Sequence, residues 1–249
     1  MRYTVLTYIF GGYEQVHEIE EKDPEAEYLL ITDDPTLKSD TWQVVVDTTM
    51  EGWPVMEKCY YTRFHLFQWA HTDVVVRIDG SIGMHQPLTE LMQAFEDGQY
   101  DRCLMIHPAR NQFDKELTEW VRIRNYSREV ADRCLKMMQG FGYDLSTQGM
   151  FQGCFEIVRK TAVNLDANRL TYCLMKYTGG EEIDRLDQHI LSFVIATQFK
   201  DAMNILPVSQ DIITASPLMQ WYEHHSTRKN KERPSIAPMM FGKPVETWK

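Results

Sequence analysis

Along the first hundred residues, short runs of β-branched and aromatic residues alternate with stretches whose apolar positions recur at helical spacing. Tyr3 to Phe10 is the first apolar run and is broken by Gly11-Gly12. Glu27 to Thr32 is the second and is stopped by Asp33-Asp34-Pro35. Trp42 to Val46 and Val74 to Ile78 predict a third and a fourth strand. Between them, Glu14 to Glu21 predicts a short polar helix. Lys58 to Ala70 predicts a longer one, with Tyr61, Phe64, Leu66 and Phe67 near helical spacing. Strands that alternate with helical segments indicate a mainly parallel sheet covered by helices, so the expected class is α/β.

Further along, Leu88 to Phe95 predicts a helix and Arg102 to Ile106 a strand that ends at His107-Pro108. Asp114 to Met138 predicts one long helical stretch, with Leu117, Trp120, Val121, Val130, Cys134, Leu135 and Met138 on one face. Residues 149–158 read as extended. Glu182 to Thr197 predicts a helix with Leu186, Ile190, Phe193 and Val194 on one side. After Trp221 the chain turns basic and proline-bearing and loses its periodicity, so a single domain followed by a C-terminal arm is expected.

Charge and cysteine usage narrow the picture. The formal net charge of −10 argues against nucleic-acid binding, which needs a basic face. No apolar run approaches the length that crosses a bilayer. Met1 to Leu6 reads as the start of a strand rather than a signal peptide, so a cytoplasmic location is expected. The five cysteines are scattered and never form C-x-x-C, which argues against a zinc site or a disulfide framework and suits small buried apolar residues.

Candidate chemistry gathers where strands end. Val74-Val75-Val76-Arg77-Ile78 delivers Asp79 to its carboxyl end and then turns through Gly80, and ligands of open α/β sheets bind beyond such ends. Tyr8 and Gly11 close the first strand and Asp33 the second. Gly, Asp and Pro are also ordinary turn residues, so each of these features alone leaves both readings open. The first turn lacks G-x-G-x-x-G and the G-K-[ST] ending of a P-loop. Arg77 occupies the nucleophile position of the D-x-D-G-[ST] phosphatase pattern, which removes that chemistry. Lys58, Arg63 and His65 bring cations suited to phosphate toward the same strand ends, or else form a solvated helix face. His107 and Arg110 follow another strand. The acids from Glu181 onward open a helix, with Asp187 and Gln188 in its second turn, and His224-His225 precede the arm.

Five segments in order resemble a known family. They are Lys58 followed by Arg63-Phe64-His65-Leu66-Phe67; Ile78-Asp79-Gly80-Ser81-Ile82; His107-Pro108-x-Arg110 with Glu116; Gly149-x-Phe151-Gln152-x-x-Phe155-x-Ile157-Val158-Arg159; and Asp187-Gln188-x-x-x-Ser192-Phe193. Over roughly residues 1–197 the chain resembles a glycosyltransferase-like family formerly described only as a domain of unknown function, with plant mucilage-related and bacterial members. The resemblance implies a GT-A-type, Rossmann-like fold over residues 1–225, a mixed and mainly parallel sheet, with the basic arm at 226–249. It implies transfer of a sugar from a nucleoside diphosphate sugar to a glycan or lipid-linked acceptor, in surface polysaccharide synthesis. No membrane span is implied, although peripheral association is compatible with it. Asp79 sits where GT-A enzymes carry a metal- and ribose-binding D-x-D. Here the triplet Asp79-Gly80-Ser81 has one carboxylate, and Gln152 stands where relatives are expected to have Glu. On this resemblance Tyr8, Gly11, Asp33, Arg63 and Asp79 bind the nucleotide, and His107, Arg110, Gln152 and Gln188 bind the sugar and acceptor. Asp187 is the catalytic carboxylate, and Asp79 with His225 holds a divalent cation, Mn²⁺ or Mg²⁺. The reduced triplet and Gln152 keep a second reading open, a non-catalytic carbohydrate-binding or polysaccharide-assembly protein on a decayed GT-A fold.

Overall fold

The computed structural model describes residues 1–106, 127–146, 150–179 and 186–221, together with Phe113, Lys115, Leu117 and Val121. Strand β1 (Tyr3–Ile9) is buried along its whole length. It pairs in parallel with β2 (Ala26–Thr32) on one side and β4 (Val74–Ile78) on the other. Strand β3 (Gln43–Val46) extends the sheet beyond β2. Past β4, strand β7 (Phe151–Arg159) runs antiparallel between β4 and β6 (Arg102–Ile106), and β8 (Ile205–Val208) lies parallel to β6. The seven-stranded order is β3-β2-β1-β4-β7-β6-β8, a mixed and mostly parallel sheet flanked by helices in a single domain. Strands buried on both faces need unbroken apolar runs, which is why β1 and β4 read so clearly in the sequence.

Six helices are delimited among the described residues: α1 (Val55–Phe64), α2 (Thr89–Asp97), α3 (Arg128–Gly140), α4 (Ala162–Gly179), α5 (Asp187–Val194) and α6 (Asp211–Thr214). None is long and apolar enough to cross a membrane. On one face of the sheet Val5, Ile9, Val76, Ile78, Phe155 and Ile157 pack with Met92 and Phe95 of α2. The opposite face carries two apolar groups. Leu6, Tyr8, Leu29 and Val75 pack with Cys59 of α1, while Leu104 packs with Phe64, Cys134, Ile190 and Phe193. A single cross-strand row explains the division: Leu29, Leu6, Arg77, Glu156 and Leu104 are successive register partners. Leucines flank an ion pair at the centre of the sheet. Cys59, Cys103 and Cys134 are buried as expected, and burial pushes the Cys59 and Cys134 thiols up to about 12.

Several expected elements differ. Glu14 to Glu21 forms no helix. Glu18 instead accepts hydrogen bonds from Ser39 and the Asp40 amide, and the Glu20 amide donates to the Met84 carbonyl, which holds this segment irregular across the apolar face. Helix α1 begins three residues before Lys58 and stops at Phe64, followed by a 3₁₀ turn at Leu66–Gln68. The stretch expected as one helix to Met138 is interrupted at Ser127, whose Oγ caps α3 by accepting from the Val130 amide. Asp114 and Trp120, and the boundary at residues 225/226, lie outside the described residues. A two-stranded ribbon, β5 (Ile82–Met84) with β9 (Met219–Trp221), was not anticipated, and neither was α4.

Ile157 is fully buried at the centre of the α2-side core. The expected cost of Ile157→Ala is about 2–5 kcal/mol, because the lost transfer energy adds to a cavity that rigid strands cannot close. Urea unfolding checks it, and a cost under about 1 kcal/mol would contradict this packing.

Candidate functional site

The chain runs from β1 outward to β2 and β3, then crosses back to place β4 on the other side of β1. That reversal is a topological switch point, and the carboxyl ends of β1 and β4 flank the crevice it opens. Gly11 follows β1 with φ of +63°, a conformation that strains any residue with a Cβ. Its amide donates to Asp33 Oδ1 at 2.9 Å, and Lys58 Nζ of α1 donates to Asp33 Oδ2 at 2.8 Å. Partial burial works against the Asp33 carboxylate, but the Lys58 ammonium and the Gly11 amide outweigh it and hold its pKa below the usual range. Tyr8 is buried at the end of β1, with its hydroxyl 3.4 Å from a guanidinium nitrogen of Arg77.

At the end of β4, Asp79 pairs with that same guanidinium group. Its side chain is 35% exposed, while that of Arg77 is fully buried. Arg77 Nε donates to Glu156 Oε1 at 3.2 Å, and its remaining terminal nitrogen donates to the Gly153 carbonyl. Arg63 of α1 donates to the same Glu156 Oε1 at 3.1 Å and to Asp187. Arg102 binds Glu156 Oε2, with Nε at 3.2 Å, and reaches Asn168 Oδ1 of α4 at 2.8 Å. Burial alone would raise the Glu156 pKa, but Arg102, Arg63 and Arg77 together hold it far below the carboxylate range.

The register of β6 against β7 jumps between Leu104 and Met105, whose partners are Glu156 and Gln152. The intervening residues bulge, which turns the Gly153 carbonyl to Arg77, while the β4–β7 register continues past Ile78 with the Asp79 amide donating to the Cys154 carbonyl at 2.9 Å. Gly153 is required by close approach, since a Cβ there would lie 2.6 Å from an Arg63 nitrogen and 2.9 Å from Asp187 Oδ2. Next to Asp187, Gln188 keeps a buried carbonyl oxygen with no hydrogen-bond partner among the described residues, and so does Gln152 on β7.

The strand ends thus bring together Tyr8, Gly11, Asp33, Lys58 and Asp79, and the arginine network joins Arg63 and Asp187 to Asp79 through Glu156. Arg63, expected at a diphosphate, is buried between two carboxylates, so neither it nor Lys58 lies on a solvated helix face. Asp187 opens α5 instead of lying in a second helical turn, because the described helix begins there. His65 is not part of the group. It stacks on Tyr61 with ring centroids 4.1 Å apart. His107, Arg110, Glu116 and His225 lie outside the described residues. Among the described residues no three His, Cys, Asp or Glu side chains cluster as a metal site. Sequence reasoning missed Glu156, Arg102 and Asn168. The available signal was a charged residue inside each of three apolar strands, because such charges are buried only in company. No protein-family model matches the chain, and a comparison with curated proteins returns no match.

Two outcomes follow from this geometry. Gly153→Ala is expected to destabilise by about 1–3 kcal/mol, since the new methyl must displace the Arg63–Asp187 pair. Gly140→Ala at the end of α3 meets nothing within 4 Å and is expected to be neutral or stabilising. Paired thermal melts compare them, and equal midpoints would contradict the crowding at Gly153. The folded Glu156 pKa lies below its unfolded value of about 4.3, so its contribution is complete above that pH and is lost as pH falls toward the folded value. Stability from urea unfolding is expected to decline below about pH 4, by up to about 1.4 kcal/mol per pH unit from this group alone. A flat profile from pH 5 to 3 would refute it.

Proposed function

We propose that the chain is a GT-A-type glycosyltransferase that takes a sugar from a nucleoside diphosphate sugar and delivers it to a glycan or lipid-linked acceptor. One observation carries the reading. At the switch point of the sheet, the pairs Asp33–Lys58 and Asp79–Arg77 stand on either side of the glycine-rich end of β1. Asp33 and Tyr8 serve the base and ribose. Lys58, reaching the same rim from α1, serves the diphosphate.

As the anomeric bond breaks, negative charge grows on the leaving diphosphate, and fixed cations in a partly desolvated crevice stabilise it. Asp79 keeps one carboxylate oxygen without a partner among the described residues. Mg²⁺ needs only one or two protein carboxylates when phosphate and water fill its other positions, so the open Asp79 oxygen fits one ligand of a divalent cation. His225, outside the described residues, is assigned as a second ligand from the sequence alone. Bound there, the cation would neutralise charge on the leaving group. Asp187, held by Arg63, is the carboxylate assigned to the transfer step. The carbonyl oxygens of Gln152 and Gln188, unpartnered among the described residues, suit sugar hydroxyls, because a buried acceptor gains most from a donor that arrives with the ligand. His107 and Arg110, outside the described residues, are assigned to the sugar and acceptor from the family resemblance alone.

A second reading, a non-catalytic carbohydrate-binding protein on the same fold, is favoured by one feature: both Asp79 and Asp187 are engaged by arginines. Turnover of a sugar-nucleotide panel with and without Mn²⁺ separates the two. For the first reading, Asp79→Ala is expected to abolish hydrolysis or transfer and to weaken nucleotide binding at least tenfold. Titration calorimetry with UDP and GDP in the presence of Mn²⁺ is the check, and unchanged affinity in the variant would rule out the role given to Asp79.

A further inference from the structure

We propose that Glu156 is the positioning residue of the site, fixing Asp79 and Asp187 in one geometry through Arg77 and Arg63. The inference rests on the reading that these two aspartates meet the sugar nucleotide. The two oxygens of Glu156 have separate partners. Oε1 receives both arginines that reach a site carboxylate, with Arg63 Nε at 3.1 Å and Arg77 Nε at 3.2 Å. Among the described residues Oε2 receives only Arg102, which turns away to Asn168 and touches neither aspartate. Arg102 therefore satisfies the oxygen that the site arginines leave, while the shared Oε1 sets the positions of the other two arginines.

The resulting chain is Asp79–Arg77–Glu156–Arg63–Asp187. Its middle is fully buried, and its ends are 35% and 12% exposed, so the network surfaces only at the two aspartates. The guanidinium fork is rigid and planar, so once Nε is fixed on Oε1 the terminal nitrogens have little freedom left. Arg77 is fixed a second time by the Gly153 carbonyl, and Arg63 fills the space that the missing Cβ of Gly153 leaves open. A site of this kind depends on a supporting shell that leaves its first contacts no slack.

The test uses the full chain and three variants. Glu156→Gln keeps the size and removes the charge. Glu156→Asp keeps the charge and withdraws the oxygens, which carries the test if the glutamine variant does not fold. Asn168→Ala removes the outer contact of Arg102, leaves its pair with Glu156 in place and controls for simple destabilisation. UDP and GDP affinity by calorimetry, turnover of a sugar nucleotide and thermal midpoints are measured for each. Both Glu156 variants that fold are expected to lose at least tenfold in nucleotide affinity and in turnover. Asn168→Ala is expected to stay within twofold in both, although its midpoint falls. Folded Glu156 variants with affinity and turnover within twofold of the unsubstituted chain would reduce Glu156 to a structural role and overturn the proposal. Comparable losses in Asn168→Ala would overturn it too, by showing that any loosening suffices. If the unsubstituted chain binds neither nucleotide at millimolar concentration, the nucleotide-sugar reading itself fails and takes this inference with it. That outcome is separate from binding that persists in the variants.

Discussion

A guanidinium group moved from water into a protein interior loses solvation that only an anion in good geometry restores. This fold buries three of them, Arg63, Arg77 and Arg102, around the single carboxylate of Glu156. The arrangement holds because each arginine meets the carboxylate and at least one further acceptor. Both oxygens of Glu156 are engaged, and the outer nitrogens go to Asp79, Asp187, Gly153 and Asn168. Counting Asp79 and Asp187, three cations meet three anions, so the cluster is neutral as a unit while no member is dispensable.

The cluster shapes its surroundings. It occupies the middle of the cross-strand row and divides the apolar residues of that sheet face into the group under α1 and the group under α3, α4 and α5. It also accounts for one buried polar position of α4, Asn168, which accepts from Arg102. The other buried polar residues of that helix have partners elsewhere: Asn164 donates to the Asp101 and Arg159 carbonyls, and Thr171 and Thr178 donate to carbonyls of their own helix. A purely apolar centre of the same volume would often be at least as stable. What the charges add is direction, because ion pairs fix angles that leucines leave free.

Much of the sheet was legible along the chain. The runs from Tyr3, Glu27 and Val74 became β1, β2 and β4 because strands buried on both faces carry an unmistakable apolar signal. The strand-end residues Gly11, Asp33 and Asp79 were legible for the same reason, since the end of a clear strand locates its turn. Helix α4 was hidden because its buried stripe at 164, 167, 168, 171, 175 and 178 is mostly polar or small, and hydrophobic periodicity is blind to it. Glu156 was hidden differently. Its meaning depends on Arg63, 93 residues away, and on Arg77, 79 residues away, and no local pattern carries a pairing over such distances. The irregular path from Glu14 to Glu21 likewise depends on partners at residues 39–41 and 84.

Because β7 is wedged antiparallel between β4 and β6, the order of synthesis matters. Arg63, Arg77 and Arg102 all emerge from the ribosome before Glu156, and Asp187 comes later still. At about 5–20 residues per second, the nascent chain carries three arginines without their shared anion for several seconds. During that interval β4 and β6 have no strand to join them, so the sheet can grow from β1 through β2 and β3 but not across its charged centre. Arrival of β7 then closes the sheet and brings the shared anion to all three arginines, and Asp187 follows to complete the cluster. The sheet edges left open in that interval carry Arg77 and Arg102 within their apolar runs, and an inward-pointing charge of this kind disfavours pairing with a strand that brings no anion.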